Sequence, residues 1–171
     1  MRTNILIPLI AVGAVVALAI TLVMPVRLAQ APKISLFTTS EGKISLADLR
    51  GQPVLITFWS TTCHVCIHEM PDLAALYREL SPRGLAVIGI SMYYDRPDHV
   101  LELIARKNIP YTIALDIHSK ASDAFGNIRV TPTSFLVAPD GSIAGHWIGR
   151  INMDKLRQQV LGMLNAEGHT G

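Results

Sequence analysis

Two cysteines, Cys63 and Cys66, stand three residues apart, and the sequence contains no others. The run before them, residues 54–58 (VLITF), has the β-branched and aromatic residues typical of a buried strand. After them, apolar residues recur at helical spacing from Met70 to Leu80. Positions i and i+3 of a helix are neighbours, so the two sulfurs are within reach of a disulfide. The pattern indicates thiol–disulfide exchange at the point where a strand turns into a helix.

The two cysteines have different predicted roles. Cys63 falls at the helix N-terminus, where unpaired amides and the helix dipole stabilise a thiolate, so we predict it to be the more exposed nucleophile. Cys66 lies one turn inside the helix and would resolve a mixed disulfide by attacking the sulfur of Cys63. His64 would stabilise the thiolate when it is protonated, or would be only a solvated side chain of the variable dipeptide.

Other roles of a C-x-x-C pair fit less well. A structural disulfide across so short a loop would restrict the unfolded chain little. A zinc site normally needs a second pair of ligands, which is not evident, although His64 and His68 stand four residues apart. Haem attachment needs a histidine directly after the second cysteine, where this chain has Ile67. We therefore predict a redox pair without metal or cofactor, and a His68 side chain that faces solvent.

The stretch has the pattern W-x-x-x-C-x-x-C-x-x-E-x-P, formed by Trp59, Cys63, Cys66, Glu69 and Pro71. This pattern resembles the thioredoxin superfamily. The glutamate is similar to that of the membrane-anchored TlpA/ResA-like branch, which includes the cytochrome c maturation thiol reductases. The resemblance extends over residues 34–164. It departs at Thr62, where the family commonly has a tryptophan, and this difference bears on substrate preference more than on chemistry.

The resemblance implies roles for further residues. Glu69 would be an active-site carboxylate that raises the cysteine pKa values or relays a proton, whereas its spacing alone favours a surface residue. Thr131 and Pro132 match the cis-proline loop that faces the cysteines in this family. Pro132 is therefore expected to be cis, with the Thr131 backbone pairing with an extended substrate. Trp59 would belong to the core, to the wall of the site, or to both.

An uncharged run of 22 residues, 5–26, lies between Arg2 and Arg27. It is long enough to cross a bilayer and longer than a typical signal-peptide core. We predict a transmembrane anchor over residues 1–27 and a tether over residues 28–33. The alternative is a signal cleaved after Ala31, but the following proline is a poor context for cleavage. A disulfide exchanger with an export signal belongs on the oxidising side of a membrane, which predicts a single-pass bacterial inner-membrane protein with a periplasmic catalytic domain.

Charge and size exclude some classes of function. The net charge is +2, but two of the 15 basic residues flank the predicted anchor, which leaves 13 against 13 acidic residues. The sequence therefore gives no sign of nucleic-acid binding, which needs an excess of basic residues along one surface. The 140 residues from position 32 onward can bury a sufficient core without disulfides, so the cysteines are free to be functional.

The order of elements predicts the fold class. Strands are expected near residues 34–37, 44–46, 54–59, 85–91, 111–115, 134–137 and 143–149, and helices near 63–80, 97–106, 120–125 and 153–164. Residues 54–59 and 85–91 should be parallel because a helix connects them, and residues 139–142 (PDGS) predict a hairpin turn. The order fits a thioredoxin-like α/β/α sandwich with a mixed sheet and an N-terminal strand extension. This domain would span residues 34–165, followed by a frayed tail at 166–171.

Together these features predict a membrane-anchored thiol–disulfide oxidoreductase that acts on protein disulfides. The resemblance implies reduction of apocytochrome c or of an oxidase copper-site protein, with electrons from a membrane carrier of the CcdA/DsbD type. One alternative is a copper-handling module on Cys63 and Cys66, with or without His64, because two thiolates suit Cu(I). Another is a thiol peroxidase, but its P-x-x-x-T-x-x-C motif is absent, since Thr62 directly precedes Cys63.

Overall fold

Seven strands form one mixed sheet in the computed structural model, which describes residues 29–40 and 42–167. The strands are β1 (Ser35–Thr38), β2 (Lys43–Ser45), β3 (Val54–Trp59), β4 (Ala86–Ser91), β5 (Thr112–Leu115), β6 (Thr133–Val137) and β7 (Ile143–Ile148). Their order across the sheet is β2-β1-β5-β4-β3-β6-β7. Strands β3, β4 and β5 are parallel, and the other neighbouring pairs are antiparallel. The predicted mixed sheet with its N-terminal strand extension is confirmed.

Four helices cover the sheet within the described ranges: α1 (His64–Leu80), α2 (Pro97–Lys107), α3 (Lys120–Ala124) and α4 (Met153–Glu167). Helix α1 connects β3 to β4, and helix α2 connects β4 to β5, so both connections move across the sheet in the same direction. Because such crossovers are right-handed, the two helices lie on the same face of the sheet. Their buried residues share one apolar cluster with those of α4. Helix α3 packs into a second cluster on the opposite face. The sheet thus lies between two helical layers.

Strand β3 is the centre of the molecule. All six of its residues are buried, because β4 and β6 pair with its two edges and both faces are covered. Its side chains alternate between the two clusters: Leu55 points to the layer of α1, whereas Ile56 and Phe58 point to the layer of α3. The uninterrupted apolar run that predicted this strand reflects burial on both faces.

The segments that were predicted to carry the chemistry lie at one end of the central strands. Residues Trp59 and Ser91 are paired at the carboxyl ends of β3 and β4. The antiparallel strand β6 begins at the same edge, where Thr133 pairs with Phe58 on one side and with Ile148 on the other. The topology therefore brings the cysteine segment, the loop after β4 and the loop before β6 together.

The segment predicted as a tether packs on the domain. The Ile143 amide donates to the Ala29 carbonyl at 2.7 Å, and the Ala31 amide donates to the Gly141 carbonyl at 2.9 Å. The predicted anchor at residues 1–27 lies outside the described residues. Among the residues that are described, no helix is long and apolar enough to span a membrane. Helix α4 continues through residues 166 and 167, which the sequence pattern assigned to the tail.

Candidate active site

The two sulfurs form the predicted disulfide at the start of α1, with a Cα–Cα distance of 5.3 Å. Cys63 has extended backbone angles and caps the helix, and its Sγ accepts a hydrogen bond from the Cys66 amide at 3.2 Å. Cys66 is only 4 % exposed, whereas Cys63 is half-buried. The same amide that contacts Cys63 Sγ in the disulfide can stabilise a Cys63 thiolate after reduction.

Glu69 is buried, with 1 % of its surface exposed, and its Oε1 accepts a hydrogen bond from the Ile151 amide at 2.7 Å. Burial raises the pKa of this carboxyl, the Ile151 amide and the charge of Arg150 lower it, and Asp72 raises it further. The expectation of a surface residue from helical spacing alone is therefore wrong. The physical reason is that the segment between β7 and α4 covers this face of α1.

A small cavity of about 10 Å³ connects the acid with the inner cysteine. Its lining residues are Thr57, Trp59, Cys66, Glu69, Met70, Leu73, Tyr111 and Pro132. A cavity of this size holds about one water molecule. Glu69 and Cys66 therefore line the same small cavity, through which a proton can pass between them.

Trp59 belongs to the core and also lines this cavity. Its side chain is 2 % exposed, so it supports the site from behind and does not offer a surface to a substrate. Gly89 makes room for it, since a Cβ at that position would lie 3.2 Å from Trp59 Nε1. Within the described part of the chain this indole nitrogen has no hydrogen-bond partner.

The loop before β6 has the expected cis peptide bond between Thr131 and Pro132. Pro132 lines the same cavity as Cys66, and its carbonyl accepts a hydrogen bond from the Gly149 amide at 2.8 Å. Thr133 Oγ1 donates to the Val130 carbonyl at 2.7 Å. The Thr131 N–H and C=O make no hydrogen bond within the described residues, and Thr131 is half-buried.

His64 and His68 are both exposed, and neither side chain makes a hydrogen bond or ion pair with another described residue. The predicted solvent-facing position of His68 is confirmed. Among residues 29–40 and 42–167, no three His, Cys, Asp or Glu side chains come together in a way that could hold a metal ion.

Asp95 is a site residue that the sequence reasoning missed. Its carboxylate accepts hydrogen bonds from Ser60 Oγ at 2.9 Å, from the Thr61 amide at 2.8 Å and from Thr61 Oγ1 at 3.0 Å. All three donors lie in the loop that leads from β3 to Cys63. One signal was present in the sequence, because an acidic residue that soon follows a parallel strand lies at the functional edge of such a sheet.

Tyr111 is a second residue that the sequence reasoning missed. It lines the cavity beside Glu69, and its ring meets that of Tyr77 edge to face at 6.3 Å between centroids. Burial and the charge of Glu69 both raise the pKa of Tyr111, so it stays a neutral wall of the cavity. A tyrosine next to a short strand carries no sequence signal of this role.

Comparisons with known proteins agree with this geometry. The profile of the AhpC/TSA family matches residues 28–146. The thiol–disulfide oxidoreductase ResA of Bacillus thuringiensis (strain Al Hakam) is 32 % identical over 121 residues, which are 70 % of this chain and 68 % of the relative.

Among solved structures, a thiol:disulfide interchange protein of the thioredoxin family from Chlorobium tepidum TLS superposes with a TM-score of 0.74 at 25 % identity. The match covers 82 % of this chain and 99 % of that one. StoA of Bacillus subtilis superposes with a TM-score of 0.66 at 22 % identity, over 76 % of this chain and 97 % of the other. These likenesses show that the fold is thioredoxin-like.

Proposed function

The chain belongs to the AhpC/TSA family and is a thiol–disulfide oxidoreductase, and we propose that Cys63 attacks substrate disulfides and that Cys66 completes the cycle. The Cys63 thiolate attacks one substrate sulfur, forms a mixed disulfide and releases the other sulfur as a thiol. The Cys66 thiolate then attacks Cys63 Sγ, which releases the second substrate thiol and forms the Cys63–Cys66 disulfide. The substrate gains two electrons and two protons, and the cysteine pair loses them.

The observation that carries this assignment is the difference between the two sulfurs. Cys63 is the more exposed one and lies against the Cys66 amide at the helix N-terminus, where a thiolate is stabilised. Cys66 is covered by the core and meets only the partner already attached to Cys63. An external disulfide therefore reaches Cys63 first.

Glu69 acts as the proton donor and acceptor for Cys66. Both residues line the small cavity, and the raised pKa of Glu69 brings its protonation equilibrium closer to neutral pH than that of an exposed glutamate. When Cys66 must become a thiolate, its proton passes to Glu69. When Cys66 leaves as a thiol in the reverse direction, Glu69 returns the proton.

The substrate is the disulfide of an exported protein, presented as an extended segment. The Thr131 N–H and C=O pair with this segment in a β-like manner beside the disulfide. The family resemblance supports reduction of apocytochrome c or of a copper-site protein, and a CcdA/DsbD-type carrier as the source of electrons. The uncharged run at residues 5–26 supports a membrane anchor with the catalytic domain in the periplasm. His64 modulates the Cys63 thiolate from the solvent side.

Trapping of mixed disulfides tests the assignment of the two sulfurs. In a Cys66→Ser variant the second attack is impossible, so covalent complexes with substrate should accumulate on Cys63. A Cys63→Ser variant is the matched control and should form almost none. Complexes should be detected by non-reducing electrophoresis and mass spectrometry. The reverse pattern would show that the two roles are exchanged.

The reduction potential of the Cys63–Cys66 couple, measured against glutathione, tests the direction of electron flow. A reductant should have a potential at or below that of thioredoxin, about −270 mV. A value near that of a strong oxidant, about −120 mV, would overturn the assignment as a reductase while leaving the exchange chemistry in place.

A further inference from the structure

We infer that Asp95 is a positioning residue that holds the Cys63 segment in its reactive geometry. Asp95 belongs to the loop between β4 and α2, and it reaches across to the loop between β3 and α1. Its two carboxylate oxygens accept three hydrogen bonds there: Oδ1 from the hydroxyls of Ser60 and Thr61, and Oδ2 from the Thr61 amide. The inference rests on the proposed function for its consequence and on these contacts for its geometry.

The network continues from Ser60 to Cys63. A hydroxyl group has one proton, and Ser60 donates it to Asp95, so Ser60 Oγ can only accept from its other neighbours. Those are the Thr62 amide at 3.3 Å and Thr62 Oγ1 at 3.0 Å. The Ser60 carbonyl also accepts from the Cys63 amide at 3.1 Å. Every residue from 60 to 63 is thus linked to one carboxylate.

The loop that carries Asp95 is itself fixed. The Asp95 amide donates to the Met92 carbonyl, and the Met92 amide donates to the Trp59 carbonyl, both at 3.0 Å. In the part of the chain that the structure describes, Asp95 forms no ion pair, because the neighbouring Arg96 pairs with Asp98. Within the described residues its carboxylate accepts hydrogen bonds from side chains and amides of the cysteine loop, and charge-assisted hydrogen bonds of this kind are strong and directional.

The consequence concerns the reduced protein. With the disulfide broken, the backbone of residues 60–63 and the hydrogen bond from the Ile67 amide to the Cys63 carbonyl, at 3.1 Å, keep Cys63 Sγ against the Cys66 amide. If Asp95 holds that backbone, its loss lets the thiolate move away from the helix N-terminus, which raises the pKa of Cys63 and slows its reaction at neutral pH. A carboxylate that acted only through its charge would have the opposite effect, since its removal would lower the pKa of Cys63. The sign of the change therefore separates the two roles.

The experiment measures alkylation of Cys63 by iodoacetamide as a function of pH, in full-length protein that carries Cys66→Ser. Asp95→Ala should shift the midpoint of the profile to higher pH and lower the rate at pH 7 by about three- to tenfold, the range expected when a thiolate loses part of its stabilisation. Asp95→Asn should give a smaller change in the same direction, because an amide oxygen can still accept from the hydroxyls. Ser60→Ala should also act in this direction, since it removes the link to Thr62.

Asp98→Asn is the matched control. Asp98 lies three residues further along and pairs with Arg96, so its substitution should leave the profile unchanged. The ionisable groups beside the cysteine pair, His64 and Glu69, are the same in all variants. Thermal unfolding shows which variants are folded. If Asp95→Ala is not folded, the test is made with Asp95→Asn and Ser60→Ala.

Two results would overturn the inference. An unchanged profile in the folded Asp95 and Ser60 variants would show that the loop holds its position without them. A midpoint at lower pH would show that Asp95 acts through its charge. Alkylation needs no protein substrate, so a failure of the exchange function would appear separately, as absence of trapped substrate in a protein whose Cys63 still titrates as described.

Discussion

At the scale of single residues, Glu69 is the group whose environment does most to define the chemistry. A carboxyl with almost no exposed surface is harder to ionise than one in water, and a single backbone amide from Ile151 offsets only part of that cost. The pKa of Glu69 is therefore raised above that of a surface glutamate, which brings its protonation equilibrium closer to the pH at which thiols exchange. Its position across the cavity from Cys66 makes this change useful.

Replacement of Glu69 by glutamine should slow disulfide exchange near neutral pH by about 10²-fold, the lower end of the range for general acid–base catalysis. It should also lower the apparent pKa of the cysteines, because a nearby negative charge is removed. The fold should persist, since the glutamine oxygen can accept the same bond from Ile151. Stopped-flow turnover and thiol titration would measure the two effects. Glu79→Gln, on the exposed side of α1, is the control, and an unchanged titration in Glu69→Gln would contradict the proposed role.

The same substitution has a predictable effect on stability. The pKa of Glu69 is raised above its ordinary value of 4.5, so the folded state binds this proton more tightly than the unfolded state does. The resulting stabilisation is complete below about pH 4.5 and is lost as the pH rises through the folded pKa. Glu69→Gln should therefore gain free energy of unfolding relative to the parent as the pH increases from 4 to 8. Urea unfolding of both proteins across this pH range measures the effect. A difference in free energy of unfolding that stays constant with pH would show that burial does not raise the pKa of Glu69.

At the scale of elements, helix α4 connects stability to the site. Leu156 and Val160 of α4 have no exposed surface and pack in the cluster that contains Leu73 and Leu76 of α1. The segment that leads into α4 supplies the Ile151 amide to Glu69 and the Gly149 amide to Pro132. The docking of this helix therefore holds together two segments that line the site.

Leu156→Ala should reduce the free energy of unfolding by about 2–5 kcal/mol, through lost burial and the cavity that remains. The control is Leu101→Ala in α2, where the leucine is 47 % exposed and the change should stay within about 0.5 kcal/mol. Urea denaturation of both variants tests this. Equal losses in the two variants would mean that α4 is not held by its buried face.

At the scale of the whole molecule, the disulfide and the N-terminal residues 29–31 lie at opposite ends of the sheet. Strand β6 runs from Thr133, near the disulfide, to Val137, beside the hairpin on which residues 29–31 pack. The neighbouring strand β3 has six residues and extends along the same axis, so the two ends of the sheet are roughly 20 Å apart. Residue 29 thus lies at the end of the domain opposite the cysteines, and an anchored chain would direct its disulfide away from the bilayer.

The anchor itself can be tested by extraction. If residues 5–26 cross the membrane, the intact protein should stay in the membrane fraction after washing with alkaline carbonate. A fragment that begins at residue 29 is the control and should be released. Recovery of a mature chain that starts at Pro32, free in the periplasm, would instead show that the segment is a cleaved signal.

Most strands and helices, and the pair of cysteines, could be predicted from local sequence patterns. The buried strand β3, the helix that begins after Cys63 and the hairpin at residues 139–142 follow from hydrophobic periodicity and turn residues, which act between neighbours in the chain. The spacing of Cys63 and Cys66 is likewise local. The cis bond before Pro132 was expected from the family resemblance alone, because local preference favours trans.

The surroundings of the cysteines, in contrast, depend on contacts between residues that are far apart in the chain. Glu69 is covered by Ile151, 82 residues further along the chain, and the partners of Asp95 lie 34 and 35 residues before it. The packing of residues 29–31 on the β6–β7 hairpin is equally distant in sequence. Such contacts depend on the direction in which loops leave the sheet and on which helices cover them. Periodicity does not encode these features, since it reports only which face of an element is buried and not what covers that face.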